Sequence, residues 1–319
     1  MARPKTSAGD RFFQLGTGLF ALVVVVIAAG IAFILWHRSG ASIAKFGFHF
    51  WATDDWDPVA GEFGARTFIW GTLYSSFLAL LISTPLALGI AIFLSELCPH
   101  RLRQPLTFLT ELLAAIPSIV YGLWGIFVLV PAIRGVEQSL PDWLRATPLF
   151  SGPAVGVGMM SAAVILAIMV VPFTSAVARE VLKAVPAAQR EGAYALGATR
   201  WEATKVALYY TRVGIVGAVM LGLGRALGET MAVTMVIGNT PQVKWSLLAP
   251  QYTMAAVIAN EFAEATSSLH ISALVEIGLV LFVVTLVVNA ASRLLIWRLT
   301  RQRTERPMPT PVAAAERAA

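Results

Sequence analysis

The sequence predicts an all-α integral membrane protein with six transmembrane helices. Three observations predict it: the composition, six long apolar runs, and the placement of lysine and arginine between those runs. Of 319 residues, 57% are hydrophobic and 13% charged, with a mean hydropathy of +0.72. Soluble domains carry roughly a quarter charged residues, so this balance calls for a bilayer as solvent.

Each predicted helix reaches the about 20 apolar residues needed to cross ~30 Å of hydrocarbon. The six run about Leu19–Trp36, Phe68–Phe93, Leu106–Val130, Pro153–Val171, Val213–Ile237 and Ile271–Trp297. The first has a basic flank, Arg3, Lys5 and Arg11, as a cleavable leader does. Its apolar run is long, however, and no small-x-small site follows Trp36-His37-Arg38, so it reads as an uncleaved anchor. With the N-terminus in the cytoplasm, the inside segments 1–18, 94–107, 174–212 and 293–319 hold 17 Lys and Arg, and the outside segments hold 6. That bias places both termini in the cytoplasm. The organisation expected is a cytoplasmic tail at 1–18, the first transmembrane helix and its outer loop at 19–66, and a five-helix core at 67–300. A disordered cytoplasmic tail at 301–319 follows, where Pro307, Pro309 and Pro311 lead into an alanine-rich end.

Several chemistries are excluded. The single cysteine, Cys98, rules out an internal disulfide framework and an all-cysteine metal site. His37, His49, His100 and His270 show no metal-ligand spacing, and no metal site is expected. No phosphate-binding G-x-x-x-x-G-K-[ST] loop exists, because none of the five lysines follows a glycine. No cofactor is expected to bind this chain, and the net charge of +6 is spent on orientation rather than on nucleic acid.

The longest inside loop, about 174–212, carries strong local signals. Pro186 opens a short helical run, Ala187–Leu196, and Gly197 is placed to end it. Thr199-Arg200-Trp201-Glu202 then reads as a capping box opening the next helix. The result is a helix–turn–helix knob with Arg190, Glu191 and Arg200 near its tip. The pattern alone fits an ordinary structured loop as well as a docking site.

Charge inside a span is expensive and by default functional. The fifth span holds Arg225 and Glu229, four residues apart and so expected on one helix face as a pair. Gly222, Gly224 and Gly228 beside them suggest close helix approach. A structural lock and a pore-lining pair are both consistent; we favour the pore, with Arg225 meeting an anion through its planar fork and Glu229 balancing it when the pore is empty. Glu111 reads as structural, and Glu276 is left open. In the third span, Pro117 is expected to kink the helix and free the carbonyl four residues earlier, and Pro85 to do the same in the second. Tyr252–Thr266 is expected to be a short outer helix, lying on the surface or dipping inward, with Asn260, Glu261 and Glu264 facing water or a partner.

The run from Arg190 to Glu202 resembles the EAA motif of ABC importer permeases, with Glu191, Ala193 and Gly197 matching and Gly192 replacing the first alanine. Ala207, Tyr209 and Tyr210 depart from the motif's second half. Further stretches are similar to the phosphate-specific permeases of that family: Phe63-Gly64, Ile69–Leu73, Ile116–Gly122, Gly222–Asn239 and Ala259–Glu264. The resemblance implies a type I ABC importer permease fold with one extra N-terminal helix, in a bacterial inner membrane. It further implies a PstA-like second permease as partner in a heterodimer, two copies of an ABC ATPase that use ATP and Mg, and a periplasmic or lipid-anchored phosphate-binding protein. On this resemblance Arg190, Glu191, Ala193, Gly197 and Arg200 couple to the ATPase, Arg225 and Glu229 line the substrate pathway, and Asn260, Glu261 and Glu264 form a gate or partner contact. The chain itself would be no enzyme. A permease for molybdate, sulfate or phosphonate, an anion channel or secondary carrier, and a purely structural membrane protein are the rival expectations.

Overall fold

A computed structural model describes residues 8–304; of the tail expected to be disordered at 301–319, residues 301–304 continue the last helix and the rest lies outside the described residues. Six helical stretches are long and apolar enough to cross a membrane: Phe12–Arg38, Arg66–Leu97, Ser118–Gln138, Met159–Lys183, Arg200–Leu227 and Ser268–Arg298. They match the six predicted runs in number and order. Their ends differ, because polar residues at a span's edge continue the helix beyond the hydrocarbon.

Helix α1 (Ala8–Arg38) begins well before Leu19, so most of the expected tail at 1–18 is helical. Its surface is apolar all round, and Phe20, Val24 and Phe33 are each more than 60% exposed. A helix apolar on every side and unburied by its own chain has lipid as its natural surround. After it come α2 (Gly40–Phe46), α3 (His49–Ala52) and a hairpin of β1 (Trp56–Asp57) and β2 (Glu62–Phe63), with Trp56 opposite Phe63.

The second span is α4 (Arg66–Ile92), extended by a π-helical turn at Phe93–Leu97. It stays helical through Pro85. The third predicted span is not one kinked helix. It divides into α5 (His100–Ala115) and α6 (Ser118–Trp124), which continues through a π turn at Gly125–Leu129 into α7 (Val130–Gln138). A short α8 (Asp142–Arg145) leads to α9 (Met159–Lys183), the fourth span, which reaches twelve residues beyond its predicted end. The knob is α10 (Ala187–Ala195), and the fifth span is α11 (Arg200–Leu227). It too stops early: α12 (Met231–Val236) is a separate helix. Finally α13 (Met254–Glu261) precedes α14 (Ser268–Thr304).

Helices α4, α9 and α11 pack on one another, with α14 against α11 and α1 against α14. Three apolar clusters hold them. Tyr121, Leu129, Ile165, Met169, Val233 and Val236 join α6, α9 and α12. Ala91, Ala178, Leu182 and Ala218 close the knob end, where small side chains let α4, α9 and α11 approach. Phe50, Phe63, Phe68, Tyr252, Met254 and Leu274 form an aromatic cap at the opposite end.

Candidate functional site

Two helical runs break at the edge of an apolar span, before Ser118 and after Leu227, and the segments beyond the breaks pack together as α6 and α12. In the third span, Pro117 has no N–H and disfavours a helical residue before it. Ile116 is accordingly extended (φ −64°, ψ 129°). The carbonyl of Leu113, four residues before the proline, loses its helical donor. The Tyr121 hydroxyl donates to it at 2.8 Å across the gap. The Ile116 N–H also reaches this carbonyl, at 3.4 Å, so the Tyr121 bond is a second tie across the break.

In the fifth span α11 ends at Leu227, and Gly228–Thr230 separate it from α12. The expected Arg225–Glu229 pair does not form, because the helix that would align them ends between them. Glu229 instead turns to the start of α12, where its Oε1 accepts from the Ala232 N–H at 3.4 Å; an acidic group is favoured at that helix end. Among the described residues Arg225 has no ion pair and no hydrogen bond, and its Nε is buried without a partner. Its guanidinium lies 5.7 Å from the Phe173 ring centroid of α9. Of the three glycines beside it, only Gly222 meets a close neighbour: a Cβ there would lie 2.9 Å from Val170 Cγ1 of α9. Gly224 and Gly228 face nothing nearer than 3.8 Å.

The closest helix crossing in this region is α6 on α12. A Cβ on Gly122 would lie 3.1 Å from the Ala232 Cα, and the Met235 sulfur would have to move. The short helix beyond the second break, which no proline causes, thus packs on the helix beyond the first.

The knob follows its expected form. Gly197 ends α10 with φ +81°, a conformation that costs side-chain-bearing residues about 1–2 kcal/mol. Thr199 and Glu202 make a reciprocal capping box. Leu196 is 91% exposed at the tip, with Tyr194 and Trp201 also on the surface. Glu191 and Arg200 are exposed and Ala193 is half-buried. Arg190 is not at the tip. Its guanidinium grips both oxygens of Glu96 at 2.7 and 3.1 Å and the carbonyls of Leu182 and Val185, each at 3.0 Å.

At the cap, Glu261 does not face water or a partner as expected. Its Oε2 accepts from Trp56 Nε1 at 2.9 Å and lies 3.1 Å from His270 Nε2. Asn260 is likewise engaged within the chain, donating to the Tyr252 hydroxyl at 3.0 Å. Burial pushes that hydroxyl up to about 12, against the opposing effect of the Asn260 bond. Glu264 alone of the three is exposed. Glu276 is buried beneath α2 with Oε2 unpartnered.

Sequence reasoning missed Arg179. It was counted as a loop charge, yet it is 5% exposed inside α9 and bonded to Thr107, Glu111 and Glu180. Extending the fourth helix to Lys183 would have found it, since Ser175, Arg179 and Leu182 recur at helical spacing on one buried face. Glu111, expected to be structural, is one of its partners.

A family model described as binding-protein-dependent transport system inner membrane component matches residues 83–301. The chain is 47% identical over 296 residues to the phosphate transport system permease protein PstC of Mesorhizobium japonicum, covering 91% of this chain and 90% of that protein. It is 49% identical over 299 residues to the protein of the same name from Pasteurella multocida, covering 92% and 93%. A probable PstC of Methanocaldococcus jannaschii is 39% identical over 284 residues, covering 87% and 90%. Among solved structures, a chain of the MetNI methionine ABC transporter in an inward-facing conformation superposes with a TM-score of 0.56 at 16% identity. It covers 72% of this chain and 94% of that one, a likeness of fold alone.

Proposed function

This chain belongs to the inner-membrane components of binding-protein-dependent transport systems, and from that membership we propose that it is a permease subunit of an ATP-driven inorganic phosphate importer. The observation that carries the substrate is the identity of 47% and 49% to phosphate permeases over nine-tenths of each chain. The chain forms half of the pore, with a PstA-like second permease as the other half. Two copies of an ABC ATPase supply ATP, Mg and the hydrolytic chemistry; this chain supplies movement and a path. A phosphate-binding protein delivers the anion at the cap face.

Arg225 suits the path. A guanidinium without a counter-ion at a break between helix halves offers a planar fork to a tetrahedral anion. Selectivity then rests mainly with the binding protein, and the pore needs only to favour an anion. The knob presents Leu196, Tyr194 and Trp201 as an apolar tip for the ATPase, while Glu191 and Arg200 flank it with charge. Glu264 and Phe262 are among the exposed cap residues that would meet the binding protein. Positive charge places the knob and both termini in the cytoplasm.

Phosphate uptake by cells lacking other phosphate importers tests this reading. Deleting the gene should abolish uptake, and sulfate or molybdate in excess should leave wild-type uptake intact; uptake of another oxyanion in place of phosphate would overturn the assignment. A reporter active only outside the cytoplasm should signal when fused at Asp55 and stay silent when fused at Thr304. Signal at both sites would reject the orientation.

A further inference from the structure

Helix α5 connects the knob end of the molecule to the hinge at Pro117, yet it has no buried residue. An apolar cavity of about 340 Å³ lies between it and its neighbours, lined by Ile82, Leu86, Thr110, Leu113 and Ile168 among others. Apolar packing therefore holds α5 loosely. Polar contacts hold it at three points. Arg103 donates to the carbonyls of Ser95 and Cys98, fixing its start to the end of α4. Arg179 of α9 bonds Thr107 and Glu111 in its middle. Leu113, at its far end, accepts from Tyr121.

The segment that Arg103 grips, Ser95–Cys98, is also the segment that holds Glu96. Arg190 of the knob engages both oxygens of Glu96 in a fork, with the two side chains only 22% and 12% exposed. Two-point pairing of this kind fixes orientation as well as distance. A knob joined only to α9 and α11 could swing with them and leave the α4–α5 junction behind. The fork prevents that.

We propose that Glu96 is a positioning residue for transport, through which movement of the knob is imposed on the α4–α5 junction and, along α5, on the hinge at Pro117. The proposal rests on the transport reading above. The knob's exposed tip is left to the ATPase, and the Arg190–Glu96 fork lies behind it. Docking and transmission are thus separate contacts. Glu96 sits in a π-helical turn, a geometry frequent at functional sites.

The test uses the whole complex in vesicles, with partner permease, ATPase and binding protein, measuring phosphate uptake and ATP hydrolysis together. Glu96→Gln keeps the shape and removes the charge. The complex should assemble in normal yield and hydrolyse ATP, while phosphate moved per ATP falls about tenfold, within the usual range of coupling between sites. The reciprocal variant Glu96→Arg with Arg190→Glu should recover part of that loss. Unchanged phosphate per ATP in Glu96→Gln would overturn the proposal. So would a loss of uptake matched by an equal loss of assembled complex. The reciprocal variant, compared with Arg190→Glu alone, gives a second reading. Phosphate per ATP near the wild-type value supports the fork, and a value as low as that of Arg190→Glu alone rejects it. Failure of the transport reading itself would appear as absent phosphate uptake by the wild-type complex.

Discussion

The two broken spans reach similar shapes by different causes. In the third, a proline breaks the helix, and a tyrosine one turn later takes up the carbonyl it frees. In the fifth, no proline is present, and α12 beyond the break crosses α6 closely. The first break is written in a few adjacent residues, whereas the helix beyond the second packs on residues about a hundred positions away. A helix can therefore be discontinuous without any local signal, and a spacing argument made on it then fails.

Arg225 and Glu229 give the sharpest way to break this comparison. If the second break separates them, their contributions to uptake should be independent. Arg225→Gln is expected to reduce phosphate uptake about ten- to a hundredfold, the equivalent of about 1.5–3 kcal/mol for hydrogen bonds to a charged group. Glu229→Gln should have a much smaller effect, through the start of α12. The double variant should match Arg225→Gln. Recovery of uptake in the double variant would mean that the two residues form a pair after all, and that the fifth span is continuous in the working protein.

Tyr121→Phe has the next largest expected effect. It removes the hydroxyl donor from the Leu113 carbonyl, which keeps its 3.4 Å bond from the Ile116 N–H, and should lower stability by about 0.5–1.5 kcal/mol, read as a lower melting temperature of the purified complex. No change would show that the first break is held by packing.

Gly228→Ala should do least. Gly228 has φ −96° and ψ 1°, open to any residue, and a Cβ there meets nothing closer than 3.8 Å. The change should leave uptake intact and raise stability by about 0.4–1 kcal/mol through the unfolded chain. A loss of uptake would show that glycine's freedom sets the second break.

What could be read from the sequence follows the same division. The knob was legible because its determinants are adjacent: Pro186, Gly197 and the Thr199–Glu202 box each act within four residues. Six spans were legible because bilayer thickness fixes their length. Pro117 announced a disturbance and a freed carbonyl, but not that Tyr121 would answer it. Arg190 looked like a tip residue because Glu96 lies 94 positions earlier, beyond any local pattern. Glu261 looked solvent-facing because Trp56 and His270, which hold it, come from other elements. Arg179 was hidden by an error of boundary, with the fourth helix ended too soon.

The π turn at Phe93–Leu97 carries one more consequence, for the lengths these helices can have. Each residue of an α-helix advances ~1.5 Å and turns about 100°. Deleting Phe93, Leu94 or Ser95 would let the turn tighten into ordinary helix and shift Glu96 round its axis. Glu96 would then point away from Arg190, though no charge had been lost from the sequence. Insertions and deletions here should be tolerated less than most substitutions, and relatives that keep the Arg190–Glu96 fork should keep the residue count between α4 and α5 as well.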